Sequence, residues 1–260
     1  MKIYQSQNAQ MHYTVSGVET AQPVIWAHGW GQTHQGLEAL KTPFEQIGHH
    51  YALDFCGFGQ SPEPLTPWGT EDYADFVAEF IKNEIKKPVL WIGHSFGCRV
   101  GIQIAARHPE LITGLCLIAG AGLPRKRPLL KKLYFKTRIL TYKLLKKLSL
   151  INLINKDWLA RKFGSADYKN TSGTMRQVFV KVVNEDLSPQ AQSIQCFTQL
   201  IYGQNDTETP PEIGERLKSL IPRSEMVHLA SQDHYSVLAD GRHQVTPILK
   251  KFIEGHSETS

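Results

Sequence analysis

The stretch Pro88-Val-Leu-Trp-Ile-Gly-His-Ser-Phe-Gly-Cys-Arg-Val-Gly101 decides the fold of this chain. Residues 89–92 form a short apolar run, the pattern of a strand buried on both faces. From Phe96 the apolar spacing turns helical, through Val100, Ile102, Ile104 and Ala105, and stops before Arg107-His108-Pro109. Gly93-His94-Ser95-Phe96-Gly97 therefore sits where a buried strand turns into a helix, and it reads Gly-x-Ser-x-Gly. A serine on so tight a turn needs small neighbours, because strand and helix approach closely there. The turn lifts the Ser95 hydroxyl clear of the sheet, against the N–H groups and positive dipole end of the helix.

The chain around this turn alternates strands with helices. Two antiparallel strands are expected over residues 2–15, ending at Ser16-Gly17, with strands over 23–27, 51–55, 89–92, 111–119, 197–202 and 225–229. Helices are expected over 37–47, from the candidate N-cap Thr70 to Lys87, from Phe96, over 211–220 and near 245–253, with residues 255–260 frayed. Such alternation means a parallel sheet with right-handed crossovers. It breaks after Gly122-Leu-Pro124, and residues 125–190 offer no convincing strand. There Leu130, Leu133, Leu140, Leu144, Leu148 and Ile151 trace a helical stripe, with Lys131, Lys132, Lys136, Lys143, Lys146 and Lys147 mostly off it.

At 260 residues and 41% apolar, the chain can bury one large core. No apolar run approaches membrane-spanning length. The N-terminus lacks an apolar leader and reads as an edge strand. Cys56, Cys98, Cys116 and Cys196 form no CxxC and no zinc spacing, so no metal and no cofactor is expected. Cys98 and Cys116 read as small buried hydrophobes. A reducing, cytoplasmic location fits this cysteine usage. Residues 125–162 carry 13 Lys or Arg against one acid, Asp157, leaving 16 bases and 23 acids elsewhere. That local excess, poor in interleaved aromatics, points away from nucleic acid. It leaves two expectations: a solvated lid face, or peripheral contact with an anionic membrane, with an acyl-CoA phosphate as a second anion.

Taken together, the Gly-x-Ser-x-Gly turn, its strand-helix setting and the alternation resemble the α/β-hydrolase fold over nearly the whole chain. The resemblance implies a mostly parallel eight-stranded sheet flanked by helices, with a core of residues 1–122 and 191–260 and an inserted helical cap over 123–190. It also implies a nucleophile, an acid and a histidine in that chain order. Ser95 would be the nucleophile. His234, after the strand at 225–229, lies at the sheet edge where α/β sites form and matches the family's last motif. In Tyr202-Gly-Gln-Asn-Asp206, Gly-x-x-Asp with a following Pro puts Asp206 at the family's acid position, with Glu208 as the fallback. Two backbone N–H groups, of Phe96 and Trp30, would form the oxyanion hole.

Three departures from the family pattern stand out. Asp233 precedes His234 where Gly is frequent, and could restrict the loop or perturb the ring. Cys56 and Phe58 stand where Arg and His are common. His28-Gly-Trp-Gly-Gln32 is not the HGGPG of proline iminopeptidases, which argues against peptide trimming. Here His28 reads as structural, Asp54 as a loop-shaping residue, and His34, His49 and His50 as surface or loop residues. The expected function is hydrolysis of a small-molecule carboxylic ester of small or medium acyl length. Thioester or C–C bond hydrolysis on the same three residues, and a non-catalytic ligand-binding protein, stand as alternatives.

Overall fold

Strands of four to eight residues, apolar where they are central, stack side by side into one eight-stranded sheet. The computed structural model describes residues 1–6, 9–125 and 170–257, together with Thr137, Thr141, Leu145 and Tyr168. The strands are β1 (Lys2–Gln5), β2 (Gln10–Gly17), β3 (Pro23–Ala27), β4 (His49–Asp54), β5 (Val89–His94), β6 (Ile112–Ile118), β7 (Phe197–Gly203) and β8 (Ser224–Leu229). Their order is β1-β2-β4-β3-β5-β6-β7-β8, with β2 antiparallel to β1 and β4 and all other pairs parallel. The amphipathic N-terminal pair thus forms an antiparallel edge on a parallel sheet. Central strands β3 and β5 are buried at every position, because helices cover both faces.

Among the described residues the α-helices are α1 (Glu38–Lys41), α2 (Thr70–Phe80), α3 (Phe96–Arg107), α4 (Gly173–Asn184), α5 (Ser188–Ser193), α6 (Pro211–Leu220) and α7 (Arg242–Ser257). Strand alternation divides the core. Ile25, Val89 and Trp91 pack with Tyr73, Val77, Val100 and Leu217 from α2, α3 and α6. Val24, Trp26, Leu90 and Ile92 face the other way, onto Leu40, Val245, Leu249 and Phe252 from α1 and α7.

Several expectations are corrected. The helix expected over 37–47 is a single α-helical turn between two 3₁₀ turns, His34–Leu37 and Thr42–Phe44. Pro43 lacks the N–H a continuing α-helix would use there. Helix α2 begins at Thr70 instead of being capped by it. The Asp72 carboxylate takes the Gly69 N–H at 2.6 Å and Glu185 takes the Thr70 N–H at 3.0 Å. Beyond Phe80 the chain widens into a π turn, Ile81–Ile85, closed by Lys86 at φ 60°. Apolar spacing under-read α7, since Val245, Leu249, Phe252 and Ile253 mark only its buried side. The tail expected to fray from 255 is helical to Ser257, where His256 packs against Phe252 and Phe197.

His50 is fully buried rather than at the surface. Its Nδ1 accepts the Trp26 indole N–H at 3.0 Å and its Nε2–H donates to the Phe44 carbonyl at 2.8 Å. The Leu stripe and the six lysines expected on the cap lie outside the described residues. Between 123 and 196 the described residues hold helices α4 and α5 and no strand. Among the described residues no helix is long and apolar enough to cross a membrane.

Candidate active site

Ser95 directly follows β5 and precedes the first turn of α3 with backbone φ 48° and ψ −100°, a sparsely populated conformation for a residue with a Cβ. Its neighbours explain the Gly-x-Ser-x-Gly spacing. A Cβ on Gly97 would meet the Ala27 carbonyl oxygen at 2.1 Å, and one on Gly93 would meet the Gly97 backbone at 2.7 Å. Strand β3, the turn and α3 are therefore in backbone contact, tightened by Gly97 N–H donating to the His28 carbonyl at 3.0 Å. The strained turn is held from several sides at once, which is how such geometry persists.

The loops after β7 and β8 clasp each other beside this turn. Gln204 N–H donates to Leu229 O at 3.0 Å and Asn205 N–H to Gln232 O at 2.8 Å. They carry Asp206 and His234 to Ser95. His234 Nε2 lies 2.9 Å from Ser95 Oγ, and His234 Nδ1 lies 2.8 Å from Asp206 Oδ2. The structure thus brings together the three residues picked from three separate loops. Asp206 and His234 are buried, Ser95 is partly accessible.

The Asp206 carboxylate is saturated with donors. Oδ1 accepts the N–H groups of Glu208 and Thr209, each at 2.7 Å, and Oδ2 faces His234 and the Thr209 hydroxyl at 2.8 Å. Burial by itself would raise this carboxyl, but the hydrogen bond and charge of His234, with the Thr209 donors, outweigh it and hold the group below its ordinary value. Glu208, the fallback acid, points elsewhere: its carboxylate lies 3.6 Å from Arg125 and is mostly exposed.

Thr209 went unread in the sequence. Its hydroxyl sits 2.8 Å from Asp206 Oδ2, 3.1 Å from His234 Nδ1 and 2.9 Å from the Ala119 carbonyl, pinning acid and ring to β6. The signal was its position three residues after Asp206, where an Asp commonly takes a backbone N–H. His94 also went unread. Its ring is buried, with Nε2–H donating to the His234 carbonyl at 2.9 Å and Nδ1 lying 3.1 Å from Gln32 Oε1. Burial, joined by the neighbouring His234, lowers its pKa to about 3, so it stays neutral.

His28 is buried and committed on both sides: Nδ1–H donates to Gly29 O at 2.7 Å and Nε2 accepts Phe55 N–H at 3.1 Å. Burial lowers its pKa to about 4. Asp54 accepts His34 N–H at 2.7 Å, His34 Nδ1–H at 2.8 Å and Gln60 N–H at 3.2 Å, fastening two loops. Asp233 caps the turn after His234, its carboxylate accepting the N–H groups of Tyr235 at 2.9 Å and Ser236 at 2.8 Å. Cys98 is buried, its thiol directed at the carbonyls of Gly93 and Ile118, and burial raises its pKa well above the ordinary thiol value. That is the opposite of a reactive thiolate.

A cavity of about 1160 Å³ opens over Ser95. Trp30, Phe96, Phe179, Leu123, Val182 and Ile213 give it apolar walls, and Arg99, Arg125 and Arg216 bring positive charge to it. The ring of Phe96 meets Trp30 edge-on at 5.5 Å, and that of Phe179 lies tilted against it at 5.0 Å. Among the described residues the backbone N–H groups of Trp30 and Phe96 have no protein acceptor, and both residues line this cavity beside Ser95.

Sheet order, strained serine turn and neighbouring His and Asp together define an α/β-hydrolase-fold serine hydrolase. The chain belongs to the family described as serine aminopeptidase, S33, whose model matches residues 19–246. Among curated proteins it is 25% identical over 252 residues to a pimeloyl-[acyl-carrier protein] methyl ester esterase of Neisseria meningitidis serogroup A, covering 91% of this chain and 78% of that one. Over 118 residues, 41% of each chain, it is 30% identical to the 2-hydroxy-6-oxo-6-(2'-aminophenyl)hexa-2,4-dienoic acid hydrolase of Metapseudomonas resinovorans. Among solved structures it resembles a bacterial membrane phospholipase A at TM-score 0.78 and 22% identity, over 100% of this chain and 86% of that one. The enol-lactonase of Burkholderia xenovorans LB400 follows at TM-score 0.75 and 19% identity, over 97% and 100%. At such identities these structures speak to the fold.

Proposed function

We propose that this hydrolase cleaves a carboxylic ester of small or medium acyl length through an acyl-enzyme on Ser95. The observation that carries the reading is the continuous contact from Ser95 Oγ to His234 Nε2 and from His234 Nδ1 to Asp206 Oδ2, at 2.9 and 2.8 Å. A serine hydroxyl is a weak nucleophile at neutral pH and needs an adjacent base. In this scheme His234 Nε2 takes the Ser95 proton as Oγ attacks the carbonyl, then returns it to the leaving alcohol. Asp206 holds the ring so that Nδ1 carries its proton, and its negative charge stabilises the imidazolium. The tetrahedral oxyanion is received by the N–H groups of Trp30 and Phe96, the latter at the positive end of α3. Water then attacks the acyl carbon, again with His234 as base, and Ser95 is released.

The cap belongs to the same proposal. Residues 123–190 would close over the cavity, consistent with Phe179, Val182 and Val183 of α4 lining it. The basic run at 125–162, of which residues 126–136 and most of the rest lie outside the described residues, would then offer its charge to an anionic membrane. Sedimentation with anionic and neutral vesicles at low and high salt tests that part, and equal binding to both removes it. Four free cysteines, three of them buried, support a reducing, cytoplasmic setting.

The central test is labelling by a fluorophosphonate together with turnover of p-nitrophenyl esters of graded acyl length. Labelling at Ser95 that Ser95→Ala abolishes, with turnover of the shorter esters, is the expected result. Labelling without ester turnover would favour the second reading, C–C bond hydrolysis, to which the 30% identical stretch lends support. A thioester series separates the remaining alternative. A protein that neither labels nor turns over esters is a ligand-binding member of the fold.

A further inference from the structure

Arg99 follows Ser95 by four residues, in the first turn of α3, and it lines the same cavity. Its side chain is deeply buried, with 9% of the residue exposed. A buried charge is costly unless it is paired and hydrogen-bonded. Yet among the described residues its one hydrogen bond is a long one, to the Glu185 carbonyl oxygen at 3.4 Å. A guanidinium has five N–H donors. The other arginines nearby are matched: Arg107 with Asp75 at 2.6 Å, Arg125 with Glu208 at 3.6 Å and Arg216 with Glu212 at 3.4 Å. Among the described residues Arg99 has no carboxylate oxygen within 4.0 Å.

The nearest acid is already spent on another task. The Glu185 carboxylate accepts the Thr70 N–H at 3.0 Å and the Thr70 hydroxyl, and Gln103 braces that hydroxyl at 3.2 Å. It therefore sits at the N-terminus of α2, where a negative charge is favoured. Burial lowers the Arg99 pKa to about 10 against the pull of Glu185, which leaves the group charged at neutral pH.

We propose that Arg99 is the anion subsite of this cavity and that the substrate's acyl group carries a carboxylate. This rests on the ester-hydrolase reading and names its substrate class. A carboxylate would fill the uncommitted N–H directions, bidentately where the planar fork permits, and would neutralise a buried charge. One guanidinium balances one negative charge, which favours a monoanion. Ser95 immediately precedes α3 and Arg99 stands in the first turn of that helix, both lining one cavity. The carboxylate is thus a few carbons from the scissile carbonyl, as in the half-ester of a short dicarboxylic acid.

The test begins on Ser95→Ala, which leaves Arg99 untouched and prevents turnover. Calorimetry compares monomethyl glutarate with the uncharged dimethyl glutarate. The half-ester is expected to bind about 10- to 100-fold more tightly, the range of a charged hydrogen-bonded contact, and to weaken with added salt. Adding Arg99→Gln should remove the difference, while Arg99→Lys should keep part of it. Equal affinities, binding of neither ester, or a preference that survives Arg99→Gln would each overturn the subsite. The two-ligand comparison decides even where the Arg99 variants fold poorly. Hydrolysis by the intact protein is read separately. Turnover of uncharged p-nitrophenyl butyrate with no anion preference keeps the ester reading and removes the subsite. Anion binding with turnover of no ester keeps the subsite and removes the ester reading.

Discussion

The two halves of the candidate site are held by different forces. On one side, Ser95 is set by backbone packing: β3, β5 and α3 approach so closely that Gly93 and Gly97 leave no room for a Cβ. On the other, Asp206 and His234 stand on loops held by side-chain hydrogen bonds from Thr209, His94 and the loop backbone. Steric exclusion leaves a mark in sequence, because it dictates glycine at set positions. A hydrogen-bonded loop leaves little, since many residues can supply a donor. The difference also predicts how each half breaks. Damage to the glycine packing on the serine side should cost folding, whereas damage on the acid–histidine side should cost rate while the fold survives.

The largest expected effect removes the chemistry itself. Ser95→Ala or His234→Ala should lower ester turnover by about 10⁴-fold or more, and Asp206→Asn by as much or less, with unfolding midpoints near the parent's. Ser95→Ala that retained most of its turnover would sink the assignment. Next comes the serine side's dependence on packing. In Gly97→Ala the new Cβ would lie 2.1 Å from the Ala27 carbonyl oxygen, so β3 and α3 must separate. Overpacking of this kind costs about 1–3 kcal/mol, and chemical denaturation should show it beside lost activity. A variant as stable as the parent would show that the contact is not the constraint.

Acidification probes both halves through their buried histidines. An ordinary imidazole takes up its proton as pH falls through about 6.5, so the unfolded chain does so there. In the folded protein burial holds His28 down to about 4 and His94 to about 3. The unfolded state therefore binds more protons across this window, and stability should fall as pH drops from about 6.5 towards about 3. Denaturant midpoints that stayed flat between about pH 7 and about pH 4.5 would contradict neutral buried rings at these positions.

The smallest effects sharpen the account of the acid loop. Thr209→Val keeps the shape but removes the hydroxyl shared by Asp206, His234 and Ala119. It should lower kcat by about tenfold with KM little changed, as for a residue that orients its neighbours. Glu208→Gln should stay within a few-fold of the parent, since that carboxylate points to Arg125. If Glu208→Gln collapsed while Asp206→Asn stayed active, the acid role would move to Glu208.

Legibility followed the same division. All eight strands could be read from short apolar runs or alternation because burial dictates composition, and Pro211–Leu220 was readable as a helix to the residue. Residues 37–47 were misread because apolar spacing does not register the cost of Pro43 within a helix. His50 was misplaced at the surface, since nothing local reveals that Trp26 and Phe44 would enclose its ring. The local pattern offers Thr70 as a cap, whereas the acid that receives its N–H, Glu185, lies 115 residues away in sequence.

The resemblance to the α/β-hydrolase fold supplied the order of nucleophile, acid and histidine, whereas the sequence by itself determined the fold class and the tight strand-to-helix turn at Ser95. The fold class and the turn rest on local sterics or on periodic burial, which a few neighbouring residues can specify. Only the tertiary structure decided that Asp206 rather than Glu208 faces the ring, that Thr209 and His94 brace it, and that Arg99 lies buried with its donors uncommitted. Those outcomes depend on distances between residues far apart in the chain. They are set when packing closes the loops over β5, β7 and β8, where a shift of about one ångström separates a hydrogen bond from none.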